Sequence, residues 1–208
     1  MLDPSTLLSF TLVVLALFVI PGPAVLMILA RASSGGRRIG VLTGLGVACG
    51  DLVHAMLATF GLSAVLMASA TAFATVKYAG VAYLVYLGVK ALLEKSSDLQ
   101  LPQARKLGGW AAFRQGMLTE VLNPKTALFF LAFLPQFVSA QHANATLQLA
   151  QLGLIFAVLS ALYSSAVALA ASALGKWLGR NRAVGRWQNK VVGAIYLGLG
   201  AKLAFQQR

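Results

Sequence analysis

Between Asp3 and Arg31 the chain carries no charged side chain, and between Leu147 and Leu174 it carries none either. Runs of more than about 18 such residues are long enough to span a bilayer. Of the 208 residues 59% are apolar and 11% charged, against about 25% charged in an ordinary soluble domain. The expectation is an all-α, multi-pass membrane protein. The first apolar run has no basic residue before it ("MLDPST") and exceeds the roughly 7–15 residues of a cleaved signal, so it is expected to stay as a span.

Six spans follow from the hydropathy, at 6–30, 39–66, 72–93, 114–138, 147–174 and 188–206. The net charge of +12 would suggest nucleic acid in a soluble protein, but its distribution gives another meaning. Arg31, Arg37 and Arg38 lie in one connection, Lys90, Lys95, Arg105, Lys106 and Arg114 in another, and Lys176, Arg180, Arg182, Arg186 and Lys190 in a third. The intervening connections, near 67–77 and 139–146, hold only Lys77 as a basic residue. Basic residues collect on the cytoplasmic side, so both termini are expected outside and no nucleic acid is implied. Cys49 is the single cysteine, which excludes an internal disulfide and a two-thiol redox relay. The Asn144-Ala145-Thr146 triplet has the form of a glycosylation acceptor, relevant only to a eukaryotic secretory route.

The chain repeats itself. "KYAGVAYLVYLGVK" (77–90) and "KVVGAIYLGLGAK" (190–202) share Lys-x-x-Gly-x-x-Tyr-Leu and a Gly-x-Lys ending. "FTLVVLALFVIPG" (10–22) and "FRQGMLTEVLNPK" (113–125) each place a proline eleven residues after a phenylalanine. Span 1 thus matches span 4, and span 3 matches span 6. The division is a first three-helix repeat at 1–93, a cytoplasmic linker at 94–112 and a second, inverted repeat at 113–208. Three spans per half require the inversion. The charges agree, since the 31–38 connection is basic while 139–146 has no lysine or arginine. Such repeats, with interrupted helices in corresponding positions, point to a transporter's binding site. Spans 3 and 6 are short, and Gly80, Gly88, Gly193, Gly198 and Gly200 suit close helix packing, within the monomer or in a homo-oligomer.

Proline inside a helix removes a hydrogen bond and clashes with the preceding turn. Pro21 and Pro124 are each ten residues from an arginine, hence about 15 Å deep, at the middle of a hydrocarbon core about 30 Å thick. A break at that depth is tolerated only beside a cavity or other protein. Opposed half-helix ends offer partial positive charge to a carboxylate and partial negative charge to an ammonium. Pro21, Gly22, Pro23, Asn123, Pro124 and Lys125 are therefore candidate substrate-binding residues, for a zwitterion such as an amino acid. The plain alternative is a pair of ordinary kinks.

Ionisable residues inside a membrane usually face the bundle interior. Asp51 lies about 20 Å past Arg38, with His54 on the same helical face, and Glu120 lies in span 4 beside the break. Asp51, Glu120 and His54 are candidate proton-coupling residues. Their structural alternatives are a fixed Asp51–Lys125 or Glu120–Lys125 pair and a hydrogen-bonded packing histidine. His142 lies in an outer loop and carries no signal. Asp51, His54 and Glu120 are too thin a supply for a metal centre, no phosphate-binding loop occurs, and no cofactor is implied; an enzyme is not expected. An ion or metal exporter, or a channel, on the same scaffold is the alternative reading.

"PGPAVLMILARASSGGRRIGVLTGLGVACGDLVHAMLATFGL", "KYAGVAYLVYLGVKAL" and "FRQGMLTEVLNPKTALFFLAFLPQFV" resemble the LysE/RhtB family of bacterial amino-acid exporters. The resemblance covers nearly the whole chain and rests on Pro-Gly-Pro in span 1, Gly50-Asp51 in span 2, and Asn-Pro-Lys with the Phe-x-Pro-Gln-Phe-like tail of span 4. It implies six spans in the bacterial plasma (inner) membrane and proton-driven efflux of amino acids, nearer the homoserine/threonine/leucine branch. The family's functional positions fall on Pro21, Gly22, Pro23, Asp51, Asn123, Pro124 and Lys125. Pro21→Ala is expected to stiffen span 1 and lower transport without lowering membrane insertion; unchanged transport would make the proline a simple kink.

Overall fold

The structure is a computed structural model. It describes residues 2–19, 22–62, 105–138 and 144–171, with isolated positions at 75–93 and 173–204. Pro21, His142, the greater part of spans 3 and 6 and most of the linker lie outside the described residues. Among those described, every regular element is helical.

Helix α1 (Pro4–Val19) starts on Asp3, whose carboxylate accepts from Ser5 Oγ at 2.6 Å, from the Thr6 amide at 2.9 Å and from Thr6 Oγ1 at 2.9 Å. These bonds, the Ser5 hydroxyl's foremost, hold the exposed Asp3 carboxyl well below the usual carboxylate range. Phe10, Val14 and Leu17 recur at helical spacing and are buried, while Leu8, Leu12 and Leu15 face outward. Helix α2 (Pro23–Gly35) opens with proline at its first position, where the missing N–H costs no intrahelical bond. The two axes differ by 60°.

Gly36 alone joins α2 to α3 (Arg37–Leu57), with φ of +83°, a conformation that residues bearing a side chain rarely adopt. The expected basic connection at 31–38 is thus mostly helix. Wider turns at Ala58–Leu62 continue α3. Helix α4 (Gly109–Val121) begins ahead of the expected start of span 4, and α5 (Pro124–Leu128) follows a break at Leu122–Asn123. Wider turns at Phe129–Phe133 and a tight turn at Leu134–Phe137 complete that segment, bent by 46° from α4. Helix α6 runs from Ala145 to Leu169. Arg37–Gly61 and Ala145–Leu169 are each long and apolar enough to cross a membrane, and counting each bent pair as one span gives up to four among the described residues.

Helix α3 is the spine. A Cβ placed on Gly46 would lie 2.0 Å from the Phe113 carbonyl oxygen, and one on Gly116 would lie 2.2 Å from that of Thr43. Helices α3 and α4 therefore cross backbone to backbone, as small residues allow when no hydrophobic force drives helices together in lipid. On its other sides Gly44 abuts Ser164 and Ala55 abuts Gly153 of α6. Gly88 of span 3 and Gly193 of span 6 also meet, each built Cβ within 3.0 Å of the other's carbonyl oxygen. Phe10, Phe129, Phe130, Phe133, Phe137 and Phe156 form one aromatic cluster between α1, the end of the α5 segment and α6.

Gly46→Ala is expected to cost about 1–3 kcal/mol by overpacking the α3–α4 crossing, read as a lower thermal midpoint in detergent. Gly61→Ala, whose Cβ would meet nothing within 4 Å, serves as the control and is expected to leave the midpoint in place.

Candidate functional site

The two helix breaks carry the same chemical defect. In an α-helix the carbonyl of residue i accepts from the amide of i+4, and proline has no amide hydrogen. Pro21 deprives Leu17 of its donor, and Pro124 deprives Glu120. Both carbonyls find side chains instead. Lys125 Nζ donates to Leu17 O at 2.8 Å, and His54 Nε2 lies 2.9 Å from Glu120 O, where its N–H tautomer donates. The Asn123 amide, 2.9 Å away, shares the Glu120 carbonyl.

Asn123 forms the cap of α5, its Oδ1 accepting from the Lys125 amide at 3.1 Å. Its Nδ2 donates to both Glu120 carboxylate oxygens at 3.1 Å, and Thr126 Oγ1 donates to Oε1. Glu120 is thus well supplied. Asp51 is not: it is 1% exposed, and both its carboxylate oxygens are buried without a hydrogen-bond partner among the described residues. Ser160 and Glu120 stand near it without reaching bonding geometry. Burying an unpaired carboxylate is costly, so this group calls for a proton or a cation.

Asp51 faces a cavity of about 40 Å³, room for a few water molecules at about 10–15 Å³ each. Leu17, Phe18, Gly22, Ala24 and Val25 line it from the first break, and Glu120, Asn123, Lys125 and Thr126 from the second. Ile28, Val47, Ser160, Tyr163 and Ser164 close it. Five candidates from the sequence, Gly22, Asp51, Glu120, Asn123 and Lys125, therefore share one hollow. Pro23 and Pro124 are exposed beside it, and Pro21 lies outside the described residues. His54 is buried behind the wall, stacked on Phe130 with ring centroids 6.0 Å apart.

Sequence reasoning missed Ser160, Tyr163 and Ser164 of α6; the signal was a hydroxyl pair at i, i+4 in an uncharged span. It also placed Arg31 in a connection. The residue is instead 8% exposed, inside α2, with Nε donating to Gln115 Oε1 at 2.9 Å and its terminal nitrogens to the same oxygen and to the Arg105 carbonyl. Arg31 ties α2 to α4 across the end of the bundle. No group of three or more metal-ligating His, Cys, Asp or Glu side chains occurs among the described residues.

A membrane helix bundle with a polar hollow at two proline breaks is the build of a solute carrier. The chain belongs to the LysE type translocator family, whose model matches residues 15–207; its members are transporters and not enzymes. It is 34% identical to the uncharacterized membrane protein PA4757 of Pseudomonas aeruginosa, over 94% of this chain and 93% of the relative. It is 31% identical to the uncharacterized membrane protein YrhP of Bacillus subtilis, over 95% and 97%. A leucine efflux protein of Salmonella choleraesuis is 26% identical over 95% of each chain. No solved structure gives a significant match. The family that the residues resemble is the one found.

His54→Leu is expected to remove one of the two donors on the Glu120 carbonyl, the Asn123 amide remaining, and to cost about 0.5–1.5 kcal/mol, measured as a lower thermal midpoint. His54→Gln, which keeps an N–H donor, is expected to recover part of the loss; equal loss in both variants would deny the capping role.

Proposed function

We propose that the chain is a secondary transporter that exports small neutral amino acids, of the homoserine, threonine or leucine type, from the bacterial cytoplasm in exchange for protons. The observation that carries this reading is the buried Asp51, without a hydrogen-bond partner among the described residues, sharing one hollow with Lys125 and the start of α2. The α2 amino-terminal end, with Gly22 against Lys125, offers positive charge to a substrate carboxylate. Asp51 offers negative charge to the substrate ammonium. Val25, Ile28 and Val47 supply an apolar wall for a side chain. The leucine efflux relative supports the substrate class.

Coupling follows from competition for one group. The Asp51 carboxylate either holds a proton or faces the substrate ammonium, and not both at once. Proton and substrate then exclude each other, which is antiport. Glu120, held by Asn123 and Thr126, shapes the proton's surroundings, and His54 keeps the break in order beside them.

In this reading the chain forms six spans as two inverted three-helix repeats, at 1–93 and 113–208, joined by a cytoplasmic linker at 94–112. Both termini face outside the inner membrane. One triplet rocks against the other to expose the hollow to each side in turn, and the small volume of the hollow fits a closed state.

Proteoliposome efflux with a panel of amino acids is the direct test, with counterflow of labelled against unlabelled solute separating a carrier from a channel. Asp51→Asn is expected to abolish proton-driven accumulation while leaving exchange of bound amino acid partly intact. A wild-type pH dependence in that variant would remove Asp51 from the coupling.

A further inference from the structure

We infer that the Lys125 ammonium is a latch, which holds the two broken helices together through the Leu17 carbonyl and is released by the carboxylate of an entering solute. The inference rests on the transport reading for the solute, but the tie itself stands on geometry. Lys125 follows the second break immediately, and its Nζ reaches across to the last turn of α1 at 2.8 Å. The carbonyl it meets is the one that Pro21 leaves without a helical donor, so the bond is matched to a fixed gap in the main-chain pairing. Gly22 lies against the same side chain, its built Cβ being 3.8 Å from Nζ. One cation thus touches the end of α1 and the start of α2 from α5.

An ammonium gains more from a carboxylate than from a neutral carbonyl, because a carboxylate adds the attraction of a full negative charge to the hydrogen bond. A solute carboxylate arriving beside Gly22 therefore takes Lys125 from Leu17. The Leu17 carbonyl then loses its Lys125 donor, and this tie between the end of α1 and α5 is broken. Substrate binding and loosening of the first break become one event. In an antiporter the solute-loaded and the protonated forms reorient and the form that carries neither must stay closed; the latch supplies the solute's half of that rule.

The test uses spin labels on two outward-facing residues remote from the hollow, Leu12 of α1 and Met56 of α3, each replaced by cysteine in a Cys49→Ser background in proteoliposomes. Pulsed electron resonance reads the α1–α3 distance distribution. Loss of a bond to a charged group is expected to raise the ratio of open to closed populations about tenfold or more. Lys125→Met is expected to give that shift in the solute-free protein.

Saturating L-leucine is expected to move the parent protein the same way and to add nothing in Lys125→Met. Distributions that are identical in the parent and in Lys125→Met overturn the latch. A shift in Lys125→Met with no response of the parent to any of a panel of amino acids keeps the tie and rejects the amino-acid reading. A response to L-leucine that persists in Lys125→Met rejects release through Lys125 and leaves the transport reading intact.

Discussion

The site depends on two main-chain carbonyls from which proline removes the regular helical donor. Leu17 and Glu120 each precede a proline by four residues, and in lipid no water replaces the lost amide. Each is answered by a nitrogen from another element, Lys125 Nζ for one and His54 Nε2 for the other. The donor for the first break is itself the residue that follows the second proline. The two interruptions are therefore coupled: moving the α5 segment withdraws the partner of the α1 carbonyl.

What brings these groups within reach is the closeness of α3 to its neighbours. Gly46 and Gly116 let α3 and α4 touch through their backbones, and a Cβ on Gly50 would lie 2.7 Å from Glu120 Cβ. Asp51 follows Gly50 directly, and His54 lies one helical turn further along, so one glycine-lined crossing sets both beside the second break. The two carboxyl groups then differ in surroundings. Glu120 is held by Asn123 and Thr126, while Asp51 is left bare. Two like groups in unlike settings can take unlike roles, and the bare one is suited to exchange partners.

Arg31 shows how far a local reading carries. Its charge and its place after a long apolar run put it in a connection, where it counted toward the inner side. Helix α2 continues past it to Gly35, and the guanidinium is satisfied by Gln115 and the Arg105 carbonyl. Nothing in the adjacent sequence marks those partners, which lie more than 70 residues away. His54 is similar: the sequence put it on the Asp51 face, but only the fold set it against the Glu120 carbonyl, behind the cavity wall.

By itself the sequence determined that the chain is helical and apolar, that helices break around Pro21-Gly22-Pro23 and Asn123-Pro124, and that a few ionisable residues lie deep in it. Those are consequences of composition and of the chemistry of proline, which act over one turn of chain. The tertiary structure decided which polar groups meet. Helix α6 carries apolar side chains on its outward and inward faces alike, with Leu154, Val158 and Leu162 exposed and Leu152, Phe156 and Val167 buried, so it is the Ser160 and Ser164 hydroxyls that mark the face turned inward. Ser160, Tyr163 and Ser164 join the hollow because the α3–α6 contact at Gly44 and Gly153 fixes the rotation of that helix. Rotation in lipid is set by packing against neighbours, and packing is not written in any one segment.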